Sequence, residues 1–204
     1  MEWYLAVILF AFSSTITPGP NNIMIMSSGV NFGIKKSIPH LLGIAIGFPF
    51  MVAAVGIGFS ALFTLFPQLH EIIKTVGVAY LLYLAWMIAN SAASDLSVKK
   101  KHAISFTQAA LFQWVNPKAW VMATGAIAAY TSINENLSWQ VMMISFSFFV
   151  VAIPCVGTWL LFGSYLAKYL ENIKYRTYFN RSMALLLVIS ILPTTIDMLK
   201  QYFS

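Results

Sequence analysis

Charged residues are scarce in this chain of 204 residues, at 9% of the sequence, whereas soluble domains carry about a quarter. Hydrophobic residues make up 59%, and the mean hydropathy is +0.78. These proportions exclude a disordered chain and an ordinary cytosolic enzyme. The single cysteine, Cys155, has no second cysteine in the chain to pair with, which excludes a disulfide-stapled fold. The class of protein that fits this apolar, sparsely charged composition is an integral membrane protein.

Acidic residues are scarcer still, with six Asp and Glu against twelve Lys and Arg. A metal or cation carrier would need buried acids or thiolates, and a thiol-redox transporter would need a cysteine pair. An intramembrane enzyme would need paired carboxylates or a His-rich motif. The sequence offers none of these, so we predict no enzymatic activity, no cofactor and no metal. It also has no basic soluble surface for nucleic acid, despite its net charge of +6.

Six apolar stretches approach or exceed the roughly 20 residues that a helix needs to cross the hydrocarbon core. They show no strand-like alternation, which favours helices over a membrane barrel. The first stretch follows the acidic start Met1-Glu2, unlike a signal peptide, so we retain it as a span. The predicted spans are 3–27, 39–66, 72–89, 106–130, 139–161 and 182–199.

Basic residues concentrate in the loops that follow spans 1, 3 and 5, which hold nine of the twelve. The opposite face is mainly acidic. By the positive-inside rule, both termini are therefore predicted to lie outside the cytoplasm. The nine residues are Lys35, Lys36, Lys99, Lys100, Lys101, Lys168, Lys174, Arg176 and Arg181.

Three spans on each side of a polar linker predict two halves of opposite orientation. We expect one transmembrane domain over 1–204, with repeat 1 at about 1–90, a linker at about 91–105 and repeat 2 at about 106–204. The fold class is then all-α, with six transmembrane helices in two inverted three-helix repeats. Secondary transporters use this plan, and their sites lie at mid-membrane where broken helices meet.

Span 1 carries the first predicted break. Two prolines remove backbone donors, and the glycine between them is free to leave the helix. Freed carbonyls can bind an ammonium group, and the start of the next half-helix can bind a carboxylate. The alternative is that the prolines only kink the span. The candidate binding residues are Thr17, Pro18, Gly19, Pro20, Asn21 and Asn22.

Span 4 carries the second predicted break, at Asn116, Pro117 and Lys118. Lys118 is the only basic residue deep in a span, where its insertion costs roughly 2.5 to 3.5 kcal/mol. On a regular helix it would lie about 200° from Asn116, so either the turn unwinds and the two converge, or Lys118 points elsewhere. It would bind a substrate carboxylate, carry a proton, or tie itself to freed carbonyls of the other half.

Two further features lie elsewhere in the spans. Asp197, toward the outer end of span 6, is a proton-coupling candidate or an interfacial carboxylate. Gly43 and Gly47 form a GxxxG pattern, which predicts close helix packing.

These motifs resemble those of the LysE/RhtB amino-acid exporter family. The similarity rests on Thr17-Pro18-Gly19-Pro20, on Tyr80 to Trp86 and on Asn116-Pro117-Lys118-Ala119, and it covers nearly the whole chain. Gly29, Gly33, Gly43 and Gly47 fit the same pattern, while Ser37 stands where glycine or alanine is expected. Asn21-Asn22 and Leu84-Ala85-Trp86 are similar to the branch that exports cysteine and O-acetylserine.

The resemblance implies a bacterial inner-membrane exporter of small neutral or basic amino acids, driven by the proton motive force. The sequence leaves both a single chain and a homodimer open. The partners would be the amino acid, protons and the lipid bilayer. Neutral substrates of the cysteine, threonine, homoserine or leucine type are expected before basic ones. The alternatives are a cation or metal transporter and a non-transporting membrane subunit of a larger complex.

Overall fold

The computed structural model describes residues 2–59, 67–90, 103–132 and 136–203, and those ranges are helical with no strand. The prediction of an all-α fold is confirmed over these residues. Most of the predicted linker lies outside the described residues. The helices are α1 (Glu2–Ile16), α2 (Pro20–Ala54), α3 (Pro67–Ala89), α4 (Phe106–Phe112), α5 (Pro117–Tyr130), α6 (Leu137–Ala167) and α7 (Ile173–Phe203). Short π or 3-10 turns at Val55–Phe59, Gln113–Val115 and Lys168–Leu170 extend α2, α4 and α6.

Helix α2 folds back on itself at Gly33, whose φ of 74° and ψ of 176° are not helical. Across this point Ser28 Oγ lies 2.9 Å from His40 Nδ1, although twelve residues of straight helix span about 18 Å. We call the two arms α2a (20–32) and α2b (34–54). The predicted loop with Lys35 and Lys36 is wrong, because both residues are helical and one glycine makes the reversal.

We expect Gly33→Ala to destabilise the protein by about 1–3 kcal/mol, because residues other than glycine rarely adopt this backbone conformation. A Cβ at Gly33 would meet no atom within 4 Å, so the loss reports backbone strain alone. Gly125→Ala is the matched control, since its Cβ is equally free and its helix would gain up to about 1 kcal/mol. Thermal unfolding in detergent measures both, and equal melting temperatures would contradict the assignment.

Among the described residues, two helical runs are long and apolar enough to cross a membrane, Pro20–Gly58 and Leu137–Leu170. The first contains the reversal at Gly33. Helix α7 begins at Ile173 rather than at 182, and α6 begins at Leu137. The predicted bounds are too short there because hydropathy marks only the lipid-facing part of a helix, and the helices continue past it.

Two main apolar clusters divide the helices. The first joins α1, α2b, α5 and α6, and includes Val7, Phe48, Ala123 and Phe148. The second joins α2a, α3, α4 and α7, and includes Met24, Leu81, Phe112 and Leu187. Each proline-containing break therefore lies where the chain passes from one cluster to the other. A third, smaller cluster, with Ile25, Ile44, Ala109, Val156 and Leu160, links them.

Gly43 and Gly47 face α4 at close range. A Cβ on Gly43 would overlap the carbonyl oxygen of Phe106, and one on Gly47 would lie 2.6 Å from the Cα of Ala110. The missing side chains let α2b and α4 approach, as small residues do in membrane interfaces.

Candidate functional site

The first break separates α1 from α2a. Helix α1 ends at Ile16, and Gly19 precedes α2a in an extended conformation with φ −179° and ψ −178°. Any residue adopts that conformation, so the backbone freedom expected of Gly19 is not what requires glycine. The requirement is space, because a Cβ would lie 2.6 Å from Lys118 Cδ. No side chain caps the start of α2a.

The carbonyls freed by this break are held by side chains. Asn22 Nδ2 donates to the carbonyl oxygens of Thr15 and Thr17, both at 2.8 Å. Trp159 Nε1 donates to Ile16 O at 3.0 Å, from α6. We expected these oxygens to be available to a ligand, and the structure shows them partnered. An unpaired carbonyl inside a membrane costs several kcal/mol, so the chain supplies its own donors.

The second break unwinds the chain between α4 and α5. Gln113–Val115 form a 3-10 turn, and Asn116 has non-helical angles of φ −84° and ψ 110°. The Asn116 side chain accepts from the backbone N–H of Lys118 at 3.1 Å and so caps α5. Of the two arrangements considered for span 4, the structure shows convergence, with Asn116 and Lys118 beside one cavity.

The two breaks contact each other through equivalent residues. Asn21 and Lys118 each follow the proline that starts a half-helix, and each reaches the opposite break. Asn21 Nδ2 donates to Gln113 Oε1 at 2.8 Å, and Gln113 Nε2 donates back to Asn21 Oδ1 at 3.1 Å. Lys118 Nζ donates to Thr17 O at 2.8 Å and to Thr17 Oγ1 at 2.9 Å. This reciprocity ties the halves together around the cavity.

The cavity between the breaks has an empty volume of about 400 Å³, which includes space open to solvent. One part of its lining is polar and the other apolar. The polar residues are Ser14, Thr15, Asn21, Asn22, Asn116 and Lys118, with Gly19 beside them. The apolar residues are Ile44, Phe48, Ala119, Met122, Ala152 and Val156.

The structure brings five of the nine predicted binding residues to the cavity wall: Gly19, Asn21, Asn22, Asn116 and Lys118. Thr17 and Pro18 are exposed beside it and meet Lys118. Pro20 and Pro117 begin α2a and α5 without being wall residues. The side chain of Asp197 lies outside the described residues.

Sequence reasoning missed three contributors to the site. Gln113 is fully buried and pairs with Asn21. Trp159 reaches the first break from another span. Thr15 Oγ1 is buried without a hydrogen-bond partner. Of the three, only Gln113 could have been identified from the sequence, because its spacing from Asn116 places both residues on one face of a helix. Within the part of the chain that the structure describes, no group of three His, Cys, Asp or Glu could hold a metal ion.

Fold and site together define a helical membrane protein of the transporter class, with a polar cavity where two broken helices meet. The LysE type translocator family matches residues 12–191, and this chain belongs to that family. The family predicted from the motifs is confirmed, and with it a translocator rather than an enzyme.

Bacterial efflux proteins are among its relatives. The cysteine/O-acetylserine efflux protein of Salmonella paratyphi A is 32% identical over 183 residues, covering 88% of this chain and 90% of the relative. The protein of the same description from Escherichia coli (strain K12) is 31% identical over 186 residues, with the same coverage. No solved structure matches the chain.

Proposed function

We propose that this protein is a secondary active exporter of small neutral amino acids. The observation that carries the proposal is the cavity wall, where the Lys118 ammonium, an uncapped half-helix start and carbonyl-bearing backbone lie together. These groups offer one site for each charge of a zwitterion. The efflux relatives support the direction of transport, and their cysteine and O-acetylserine substrates are small and neutral.

The substrate carboxylate is assigned to Lys118 and the start of α2a at Asn21. The amine is assigned to Thr17, Asn21, Asn116 and the two carbonyls of the first break that accept from the Lys118 ammonium, Thr17 O and Pro18 O. The apolar wall then receives the substrate side chain, and Phe48 and Met122 restrict its size. A small side chain satisfies both parts of the cavity, whereas a second charge would have no partner against the apolar wall.

Transport is proposed to occur by alternating access in six spans arranged as two inverted repeats. The equivalent roles of Asn21 and Lys118 support such a repeat, because each follows the proline of its half-helix and crosses to the other break. The two apolar clusters support movement of one packed group against the other around the breaks.

The proposed location is the bacterial inner membrane, with both termini outside the cytoplasm. Proton exchange at Lys118 or Asp197 would couple export to the proton gradient. Both a single chain and a homodimer fit this proposal.

Inverted membrane vesicles test the function, because an exporter concentrates its substrate inside them. We expect uptake of labelled cysteine, O-acetylserine or another small neutral amino acid when a proton gradient is imposed, and none after the gradient is dissipated. Purified protein in liposomes should behave alike. Absence of uptake by the purified protein across an amino-acid panel would instead support a non-transporting subunit.

Lys118→Ala and Asn21→Ala should each reduce proton-driven uptake about tenfold or more, because each removes one polar contact worth at least about 1.4 kcal/mol to the bound substrate. Initial rates in the same vesicles, normalised to the amount of protein, measure the effect. Thr158→Ala is the control, since its hydroxyl donates to Pro154 O at 2.8 Å, within its own helix and away from the cavity wall. Wild-type rates in both site variants would refute the site assignment.

A further inference from the structure

The ammonium of Lys118 occupies a binding site made of oxygen atoms at the first break. Its three contacts are Thr17 O at 2.8 Å, Thr17 Oγ1 at 2.9 Å and Pro18 O at 3.4 Å. An ammonium group has three donors and no acceptor. Three oxygens arranged around one nitrogen therefore form a site for a primary ammonium, whichever molecule carries it.

The lysine stem also covers the backbone at the start of α2a. A Cβ on Gly19 would lie 2.6 Å from Lys118 Cδ, 3.1 Å from Nζ and 3.4 Å from Cε. Gly19 lines the cavity and precedes the uncapped start of α2a. In this arrangement Lys118 lies over both polar ends that the break offers to a zwitterion.

We propose that Lys118 is a resident occupant of the substrate's ammonium site, and that an amino acid binds by exchange with it. The substrate ammonium takes the Thr17 and Pro18 oxygens, and the substrate carboxylate takes the released Lys118. This inference rests on the proposed function and specifies how the same cavity selects its ligand. After the exchange, the substrate ammonium donates to the oxygens that Lys118 has left. The Lys118 ammonium then has the negatively charged substrate carboxylate as its partner.

Exchange makes the site selective for zwitterions. A simple amine that displaces Lys118 leaves a half-buried lysine without a partner inside the membrane, which is costly. The tethered lysine also competes at a high local concentration with any amine in solution. A zwitterion offsets the cost of displacing Lys118, because its carboxylate becomes the new partner of the lysine. A compound that carries only an ammonium group offers no such partner.

Ethylammonium is the probe that separates these effects, because it has the ammonium group and lacks the carboxylate. Calorimetric titration of the purified full-length protein in detergent measures its affinity against potassium chloride of equal ionic strength. We expect Lys118→Met to bind ethylammonium at least tenfold more tightly than the wild type, because the resident competitor is gone. Unchanged affinity in a folded Lys118→Met protein would overturn the proposal.

Lys118→Leu provides a second variant, which also removes the resident ammonium but has a shorter, branched side chain. Gly19 stays unsubstituted in this test, because a Cβ there would lie 3.1 Å from the Nζ position and would press on any ammonium in the site. Ethylammonium affinity should again rise, whereas Lys168→Met should leave it unchanged, since Lys168 lies over the Tyr165 ring at 3.8 Å.

Amino-acid uptake by the wild-type protein in vesicles separates the exchange proposal from the exporter function on which it rests. If the wild type takes up amino acids but neither variant binds ethylammonium more tightly, the exchange proposal is refuted and the exporter function stands. Tighter ethylammonium binding without any amino-acid uptake keeps the ammonium site and refutes the exporter function.

Discussion

Gly163→Ala should lower the stability of the protein by about 2–3 kcal/mol. Helix α6 meets α2a at Gly163 and Gly29 so closely that a Cβ on Gly163 would overlap the carbonyl oxygen of Met26 and lie 2.9 Å from its carbonyl carbon. The atoms in the way are backbone, so the helices must separate, and overpacking of this kind costs about 1–3 kcal/mol or more. Between membrane helices, close packing is a main source of association. Gly163→Leu should leave no folded protein.

Gly157→Ala on the same helix is the matched control. Its Cβ would meet only Leu41 Cδ1, at 3.9 Å, which is ordinary contact. Both substitutions gain the same helix propensity of up to about 1 kcal/mol, so the difference between them measures the overlap alone. Thermal unfolding in detergent, followed by circular dichroism, is the measurement. If the two variants melt together, α6 and α2a are not in contact at Gly163.

The breaks in the helices were predictable from sequence because their cause is local. Pro18, Pro20 and Pro117 remove backbone donors wherever they stand. Polar residues beside them are conspicuous in an apolar chain, which identified Asn21 and Lys118. The reversal at Gly33 was not predictable in this way, since a glycine accepts helical and left-handed angles alike and its neighbours do not decide between them.

The partners of the freed carbonyls were also beyond sequence reasoning. Trp159 reaches Ile16 from 143 residues away, and Lys118 reaches Thr17 from 101 residues away. Such pairs depend on how the helices pack. The requirement that every freed carbonyl finds a donor in lipid was predictable, but the residue that supplies it was not.

The reciprocal pair of Asn21 and Gln113 links the two breaks with a pair of hydrogen bonds of 2.8 and 3.1 Å. Gln113 is fully buried, and its Nε2 also donates to Ala109 O at 2.8 Å. Removing Asn21 leaves the buried Gln113 amide oxygen without a donor, and removing Gln113 takes away the partner of the half-buried Asn21 amide. Losses of this kind cost about 1–3 kcal/mol. When both residues are replaced by apolar ones, neither leaves an amide group of the pair without its hydrogen-bond partner.

Asn21→Leu and Gln113→Leu should therefore each destabilise the protein by about 1–3 kcal/mol, while the double variant loses less than the sum of the two. We expect an interaction energy of about 1–2 kcal/mol from a double-mutant cycle measured by thermal unfolding in detergent. Asn31 and Asn180 form a second reciprocal amide pair at 3.1 and 3.2 Å, toward the other end of α2a. A cycle on that pair should leave the Asn21–Gln113 coupling unchanged. If the stability losses of the two single variants simply add up in the double variant, this hydrogen-bonded pair does not contribute to holding the breaks together. Packing and Lys118 would then hold them.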